Sequence, residues 1–232
     1  MEKGVQRGSP TLVVITALNE ELGIGPTLRE VDWFLDEPLR LVVDGRSVDG
    51  TVKIAEAMGA YVVFQKGIGK GDAVASAIEH ARELDVKYIV FIDADFTYPA
   101  EYLPQMIGIL EQNPSVGMVS GNRFNGSFNL GAMHNVLYFG NRALAFVHNL
   151  FNGVQMRDPL TGMRVVRSEI LKNWTPKSKS FDVEVELNHH VEREGYGIIE
   201  IPIHYRRRLG QKKLAVRHGL TILKRILLES TY

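Results

Sequence analysis

The 232-residue chain contains no cysteine. Disulfides, thiolate zinc sites and cysteine nucleophiles are therefore excluded, and a reducing compartment is favoured. No stretch reaches the roughly 18 consecutive apolar residues of a membrane span. Residues 1–10 are polar and lack the apolar centre of a secretory signal, so they read as a flexible N-terminus. Net charge is also absent, with 27 Lys and Arg against 27 Asp and Glu. Acid is missing locally: residues 201–228 hold eight basic residues and no carboxylate, which leaves the remainder at −8. That basic end fits phosphate, nucleic acid or an anionic membrane surface, and charge alone does not choose. Its only interleaved aromatic is Tyr205, so base stacking has little to work with and nucleic acid is not an expected partner. Apolar and charged fractions of 45% and 23% exclude wholesale disorder. A chain of this length buries a large core and reads as one catalytic-size unit.

What is present is a regular alternation of strands and helices. Residues 11–16, 39–43, 60–64 and 116–120 read as strands, with helices over 25–35, 51–58, 73–84 and 99–111. Asn19 is placed to cap the first helix. Residues 88–92, Tyr-Ile-Val-Phe-Ile, read as a strand buried on both faces, followed by Asp93-Ala94-Asp95. Asp44 closes a second strand in the same way. Alternation at this spacing implies a mostly parallel, doubly wound α/β sheet, whose ligands bind beyond the carboxyl ends of the strands. Asp-x-Asp at such an edge suits an oxygen-coordinated Mg²⁺ or Mn²⁺ holding a diphosphate; it also suits a plain strand-end turn. Gly67-Ile68-Gly69-Lys70-Gly71 points to phosphate, although its spacing matches neither a dinucleotide fingerprint nor a Walker loop.

The second half differs. Over residues 124–156 the only formal charge is Arg142, and residues 134–151 carry Leu137, Leu144, Val147 and Phe151 at helical spacing. A buried helix and an amphipathic helix on a membrane both fit. A polar loop at 157–164 precedes a strand over 164–167. A helix over 181–194 opens with Asp182, Glu184 and Glu186. Residues 198–203 form a strand whose proline places it near an edge. Residues 214–229 form an amphipathic helix, with Val216, Leu220, Leu223 and Leu227 opposite Arg217, Lys224 and Arg225.

In this order the motifs resemble those of the family 2 nucleotide-sugar glycosyltransferases with the GT-A fold, and specifically the dolichyl- or polyprenyl-phosphate mannose and glucose synthases. The resemblance runs from residue 12 to about 228. It rests on Asn19-Glu20, on Asp44 with Ser47-Val48-Asp49-Gly50-Thr51, on Gly69-Lys70-Gly71 and on Asp93-Ala94-Asp95. Further along it rests on Gly121-Asn122-Arg123, on Asp158-Pro159-Leu160-Thr161-Gly162-Met163-Arg164 and on the basic loop 206–213. The family's proline and aromatic before Asn-Glu are Thr16 and Leu18 here, and its glutamine after the metal motif is Thr97. Its acceptor-side helix is more basic than this one, where Arg142 stands alone.

The resemblance implies inverting transfer of a hexose from a nucleoside-diphosphate sugar to a polyprenyl phosphate. It assigns residues 11–122 to the donor half, 123–213 to the acceptor half and 214–229 to an amphipathic helix. Asn19, Glu20, Asp44, Lys70, Asp93, Ala94 and Asp95 then bind donor, with Asp93 and Asp95 on a divalent metal. A phosphate acceptor is ionised near neutrality and needs no base, only cations to hold it in line. Arg123, Arg206 and Lys212 are the candidates, with Arg142 and Arg164 beside them; Arg164 also reads as a loop brace. A hydroxyl acceptor would need a carboxylate base, Asp158 or Glu184, which otherwise read as a loop cap and a helix-start acid. Arg207, Arg208 and Lys213 read as solvated or lipid-facing. A polyprenyl tail places the enzyme peripherally on the cytoplasmic face of the membrane, with a membrane-protein partner as an option. The alternatives are a soluble transferase with a small acceptor such as 3-phosphoglycerate, and a non-enzymatic nucleotide- or nucleic-acid-binding module.

Overall fold

The computed structural model describes residues 11–124, 135–151, 155–211 and 218–229. The expected N-terminal tail, Lys212, Lys213, Arg217 and the first turn of the C-terminal helix lie outside the described residues.

The elements run β1 (Thr11–Ala17), α1 (Ile24–Phe34), β2 (Leu39–Asp44), α2 (Thr51–Ala57), β3 (Tyr61–Phe64), α3 (Lys70–Ala81) and β4 (Tyr88–Asp93). They continue with α4 (Leu103–Gln112), β5 (Val116–Asn122), α5 (Asn135–Phe151), β6 (Arg164–Arg167), α6 (Ser168–Leu171), α7 (Val183–Arg193), β7 (Gly197–Pro202) and α8 (His218–Glu229). One seven-stranded sheet has the order β3-β2-β1-β4-β6-β5-β7, with β6 antiparallel to both neighbours and every other pairing parallel. The mostly parallel α/β sheet read from the sequence is therefore present, and β7 with its proline is an edge strand.

Strand alternation builds two apolar layers. Val13, Ile15, Val90 and Ile92 face Ile24, Leu28, Leu103 and Met106 of α1 and α4. Leu12, Val14, Ile89 and Phe91 face Val74, Ala77, Ile78 and Leu187 of α3 and α7. Full burial of each such side chain contributes roughly 1.5–3 kcal/mol, which is why β1 and β4 read as continuous apolar runs. The order also places the site. β1 lies between β2 and β4, in a register that pairs Ala17 with Asp44 and Thr16 with Asp93. Two carboxylates thus flank the end of one central strand, where a crevice opens between oppositely wound halves.

Three local expectations change. Asn19 does not cap α1: it adopts φ +49°, and Gly23 occupies the cap position without a side-chain bond. α3 begins at Lys70 instead of Ala73, so the loop lysine is the first residue of a helix. On α8 the leucine face is not the docked one. Ile222 and Ile226 are buried and Leu220 is 75% exposed. The docked face packs with Val185, Leu144 and Val147 in a small third cluster. Arg225 belongs to this face, paired with Asp182 at 3.3 Å and Glu229 at 3.2 Å.

Candidate active site

The β2 end is a tightly bonded corner. Ser47 donates its backbone N–H and its hydroxyl to the two oxygens of Asp44, at 2.7 and 2.6 Å, and its Oγ accepts the Asn19 N–H at 2.7 Å. The Asn19 side-chain carbonyl accepts the Val48 N–H at 2.8 Å, which accounts for its left-handed backbone. Glu20 is anchored next door by its N–H on the Thr51 hydroxyl, at 2.8 Å. Three expected donor residues, Asn19, Glu20 and Asp44, are thus brought together. Asp44 is fully buried beneath Ser47, so the rim at this corner is formed by Asn19 and the 45–50 turn.

At the end of β4, Asp93 accepts a bond from Lys70 Nζ at 2.7 Å, and the same ammonium lies 2.8 Å from Glu184 at the start of α7. Burial alone would lower the Lys70 pKa; the carboxylates of Asp93 and Glu184 outweigh it and keep the amine protonated. Glycines make the cradle. A Cβ on Gly71 would lie 2.1 Å from the Ser178 carbonyl oxygen, and one on Gly162 would lie 2.5 Å from Asp93 Oδ2. Gly69 combines φ +94° with a similar approach to Lys179. The glycine-rich loop therefore serves first to let the 178–180 segment close over α3.

Asp95 is buried and differently served. Its Oδ1 accepts the N–H and hydroxyl of Thr97, at 3.1 and 2.6 Å. Its Oδ2 lies 3.3 Å from Nη2 of Arg208, which also bonds Glu20. Burial raises the Asp95 pKa, Asp93 adds to this, and Arg208 and Thr97 oppose it. Phe96 between the two has φ +65°, a strained setting for an aromatic residue. Among the described residues no cluster of three or more His, Asp or Glu forms a metal cage. The donor set still fits Mg²⁺ or Mn²⁺: oxygen ligands only, a buried carboxylate whose free oxygen already faces a cation, and room in such chemistry for substrate phosphates as further ligands. Asp93 is the more exposed of the two, 28% against 10% at the side chain, and gives Oδ1 to Lys70.

The acceptor-side expectations separate. Arg123 donates Nε and Nη2 to Asp158, both at 2.7 Å, and its backbone N–H to the same carboxylate at 3.0 Å. Burial would lower the Arg123 pKa, but Asp158 raises it further still. Asp158 is itself held by Glu200, which accepts its N–H at 2.7 Å. Arg164 is a brace: Nε and Nη2 donate to Thr161 and Pro159 carbonyls at 2.9 and 2.8 Å, and Nη1 donates to Asn188. With 2% exposure it presents nothing to an acceptor, contrary to that expectation. Arg206 bonds Glu30 at 2.7 Å and stacks over Phe96 at 4.5 Å, and its Nη1 is buried without a partner. Arg142 is exposed on α5, with no described contact to either aspartate loop. Lys212 lies outside the described residues. Sequence reasoning passed over Arg208 as solvated; the structure puts it on Glu20 and Asp95. Thr97, read from the sequence only as the replacement for the family's glutamine, bonds Asp95 instead; a threonine two residues after an aspartate is the spacing of a local side-chain turn.

The profile described as glycosyl transferase family 2 matches residues 12–175. The chain belongs to this family. It is a glycosyltransferase, and its seven-stranded sheet is the GT-A arrangement. It is 35% identical over 205 residues to a dolichyl-phosphate hexose transferase of Haloferax volcanii, covering 87% of this chain and 85% of the relative. It is 25% identical to an undecaprenyl-phosphate mannosyltransferase of Micrococcus luteus, over 88% of this chain and 87% of the relative. Two other Haloferax glycosyltransferases are longer, and the chain spans 53% and 50% of them. Among solved structures, glucosyl-3-phosphoglycerate synthase from Mycobacterium tuberculosis, in complex with Mn²⁺, UDP-glucose and phosphoglyceric acid, superposes with a TM-score of 0.76 at 22% identity. That match covers 97% of this chain and 80% of the synthase. Among the described residues no helix is long and apolar enough to cross a membrane.

Proposed function

We propose that this glycosyltransferase moves a hexose from a nucleoside-diphosphate sugar to the phosphate of a polyprenyl phosphate, with inversion at the anomeric carbon. One observation carries the reading. The two carboxylates that a hydroxyl acceptor would need as base are both bound to cations, Asp158 to Arg123 and Glu184 to Lys70. Arg123 takes both oxygens of Asp158, Lys70 takes one of Glu184 and leaves Oε2 unpaired, and an acceptor that is already an anion needs neither as base. The names of the relatives point to the same acceptor class: dolichyl phosphate in one and undecaprenyl phosphate in another.

In this reading the corner of Asn19, Asp44 and Ser47 receives the nucleoside, and Glu20, Asp93 and Asp95 line the diphosphate end. Mg²⁺ or Mn²⁺ on Asp95, when bound, supplies charge neutralisation to the departing nucleoside diphosphate. Lys70 holds Asp93 in one orientation and adds positive potential beneath the same phosphates. Arg206, with a donor to spare, and Lys212 hold the acceptor phosphate. Arg123 keeps the loop after β5 and the 158–162 loop in register, and faces the acceptor side through Tyr205 and Phe124.

The same lipid acceptor accounts for an apolar surface on the neighbouring helices α5 and α8. Phe146 is 70% exposed and Leu150 66%, with Leu227 and Leu228 also outward. We place this face against the cytoplasmic surface of the membrane, as a peripheral contact without spans. Flotation with anionic liposomes tests it: failure to bind, in a protein that still glycosylates a short water-soluble acceptor, rules out the membrane role. The reaction is tested with purified protein, UDP- and GDP-linked hexoses, and either a polyprenyl phosphate or 3-phosphoglycerate. Transfer to 3-phosphoglycerate alone would select the small-acceptor enzyme instead.

A further inference from the structure

Arg208 occupies an unusual position for a surface-loop arginine. Its Nη2 bridges Glu20, from the loop after β1, and Asp95, from the loop after β4. The backbone around it is clipped to the aspartate loop on both sides: Arg206 N–H donates to the Thr97 carbonyl at 2.9 Å, and Leu209 N–H donates to the Asp95 carbonyl at 3.0 Å. Residues 206–209 therefore lie across residues 95–97 as a strap. Gly210 follows with φ +88°, an arrangement that lets the chain turn away from Glu20 beneath it.

The strap covers the oxygen of Asp95 that Thr97 leaves. Thr97 consumes Oδ1 of Asp95 with two hydrogen bonds, so Oδ2 is the oxygen left for a metal, and Oδ2 is where Arg208 sits. An ion bound there would lie about 2.0–2.1 Å from that oxygen if it were Mg²⁺. It would then share the oxygen with a guanidinium nitrogen only 3.3 Å away. Two cations on one carboxylate oxygen in a poorly solvated site repel, so each weakens the hold of the other. The closed contact is also incomplete. Nε of Arg208 is buried without a partner, whereas Arg164 places Nε, Nη1 and Nη2 all on fixed acceptors. An arginine fixed for structure alone would be expected to resemble Arg164.

We propose that Arg208 is a built-in counter-ion that competes with the divalent metal for Asp95, so that metal and donor binding lifts the 206–209 strap from the donor site. The strap carries Arg206, a proposed acceptor cation, so its release would shift that cation as the donor site fills. The inference rests on Asp95 as the metal carboxylate.

Mn²⁺ binding to the full chain without nucleotide, followed by electron paramagnetic resonance or calorimetry, tests the competition. Arg208→Gln should bind Mn²⁺ about tenfold more tightly than wild type, because a charge-assisted bond no longer has to break. Arg208→Lys, which keeps a cation, should lie between the two. Asp95→Asn should abolish binding in either background. Tryptic cleavage after Arg206 or Arg207 should accelerate when Mn²⁺ and UDP or GDP are added together. Unchanged or weaker binding by Arg208→Gln, with Asp95→Asn still abolishing it, would overturn the competition and leave the metal site standing. Mn²⁺ binding that survives Asp95→Asn would remove the metal assignment and the competition together. Thermal melts of each variant establish that the fold is retained.

Discussion

Replacing Asp158 by alanine separates a structural pair from a catalytic base. The carboxylate is fully buried and accepts three bonds from Arg123, at 2.7, 2.7 and 3.0 Å. Removing it strands a guanidinium that is also buried, and a lost partner in such a pair costs about 3–5 kcal/mol. In a domain of this size each kcal/mol corresponds to roughly 2–4 °C, so the melting temperature should fall by about 6–20 °C. Urea unfolding should show a lower midpoint at an unchanged slope. The double variant Asp158→Ala with Arg123→Leu should recover most of the loss, since replacing both partners by apolar groups is often close to neutral. A single variant with wild-type stability and abolished transfer would refute the reasoning. That result would make Asp158 a base, and with it the acceptor a hydroxyl.

Other perturbations follow from the same contacts. Gly71→Ala should destabilise the fold by about 1–3 kcal/mol and weaken donor binding, because its Cβ would meet the Ser178 carbonyl at 2.1 Å; wild-type values for both would contradict the packing role. Burial holds His148 and His189 at about 4, below the ordinary 6.5. The unfolded chain therefore takes up protons below about 6.5 while the folded chain does not, so their contribution is complete above that pH and is lost as it falls towards 4. For His148 this amounts to roughly 3 kcal/mol, and urea melts at pH 7 and pH 4.5 should show it shrinking in His148→Gln. Phe146→Asp with Leu220→Asp should cut liposome binding several-fold and leave the melting temperature within about 1–2 °C, since both side chains are outward. Arg225→Ala should loosen α8, leaving Asp182 and Glu229 without this partner, and hydrogen exchange over residues 218–229 should rise.

The strand-end acids were legible because their signal is local. A buried strand has to be apolar along its length, so the first carboxylate marks its exit, and β1, β2 and β4 then fall side by side. The acceptor loop was legible as a motif but not as a network. Nothing in the spacing of residues 157–164 tells that Arg164 turns inward to hold carbonyls while Arg123 takes Asp158. Arg208 was misread for a related reason: its partner Glu20 lies 188 positions away, and a run of three arginines looks solvated until the fold brings an acid to it. Helical periodicity gave an apolar stripe on residues 214–229, yet two faces of α8 are apolar. Ile222 and Ile226 win the core because Arg225 beside them finds Asp182 and Glu229. The extra turn of α3 at Lys70 depends on the packing of Gly69 and Gly71 against residues 178–180, which no local pattern records.

Lipid-linked product is the most direct readout. Purified protein with Mg²⁺ or Mn²⁺, labelled UDP-glucose or GDP-mannose, and dolichyl phosphate in vesicles should yield a hexosyl lipid in the organic phase. The product should be lost in Asp95→Asn. No hexosyl lipid with either donor, from protein that transfers the same sugar to 3-phosphoglycerate, would contradict a polyprenyl phosphate acceptor.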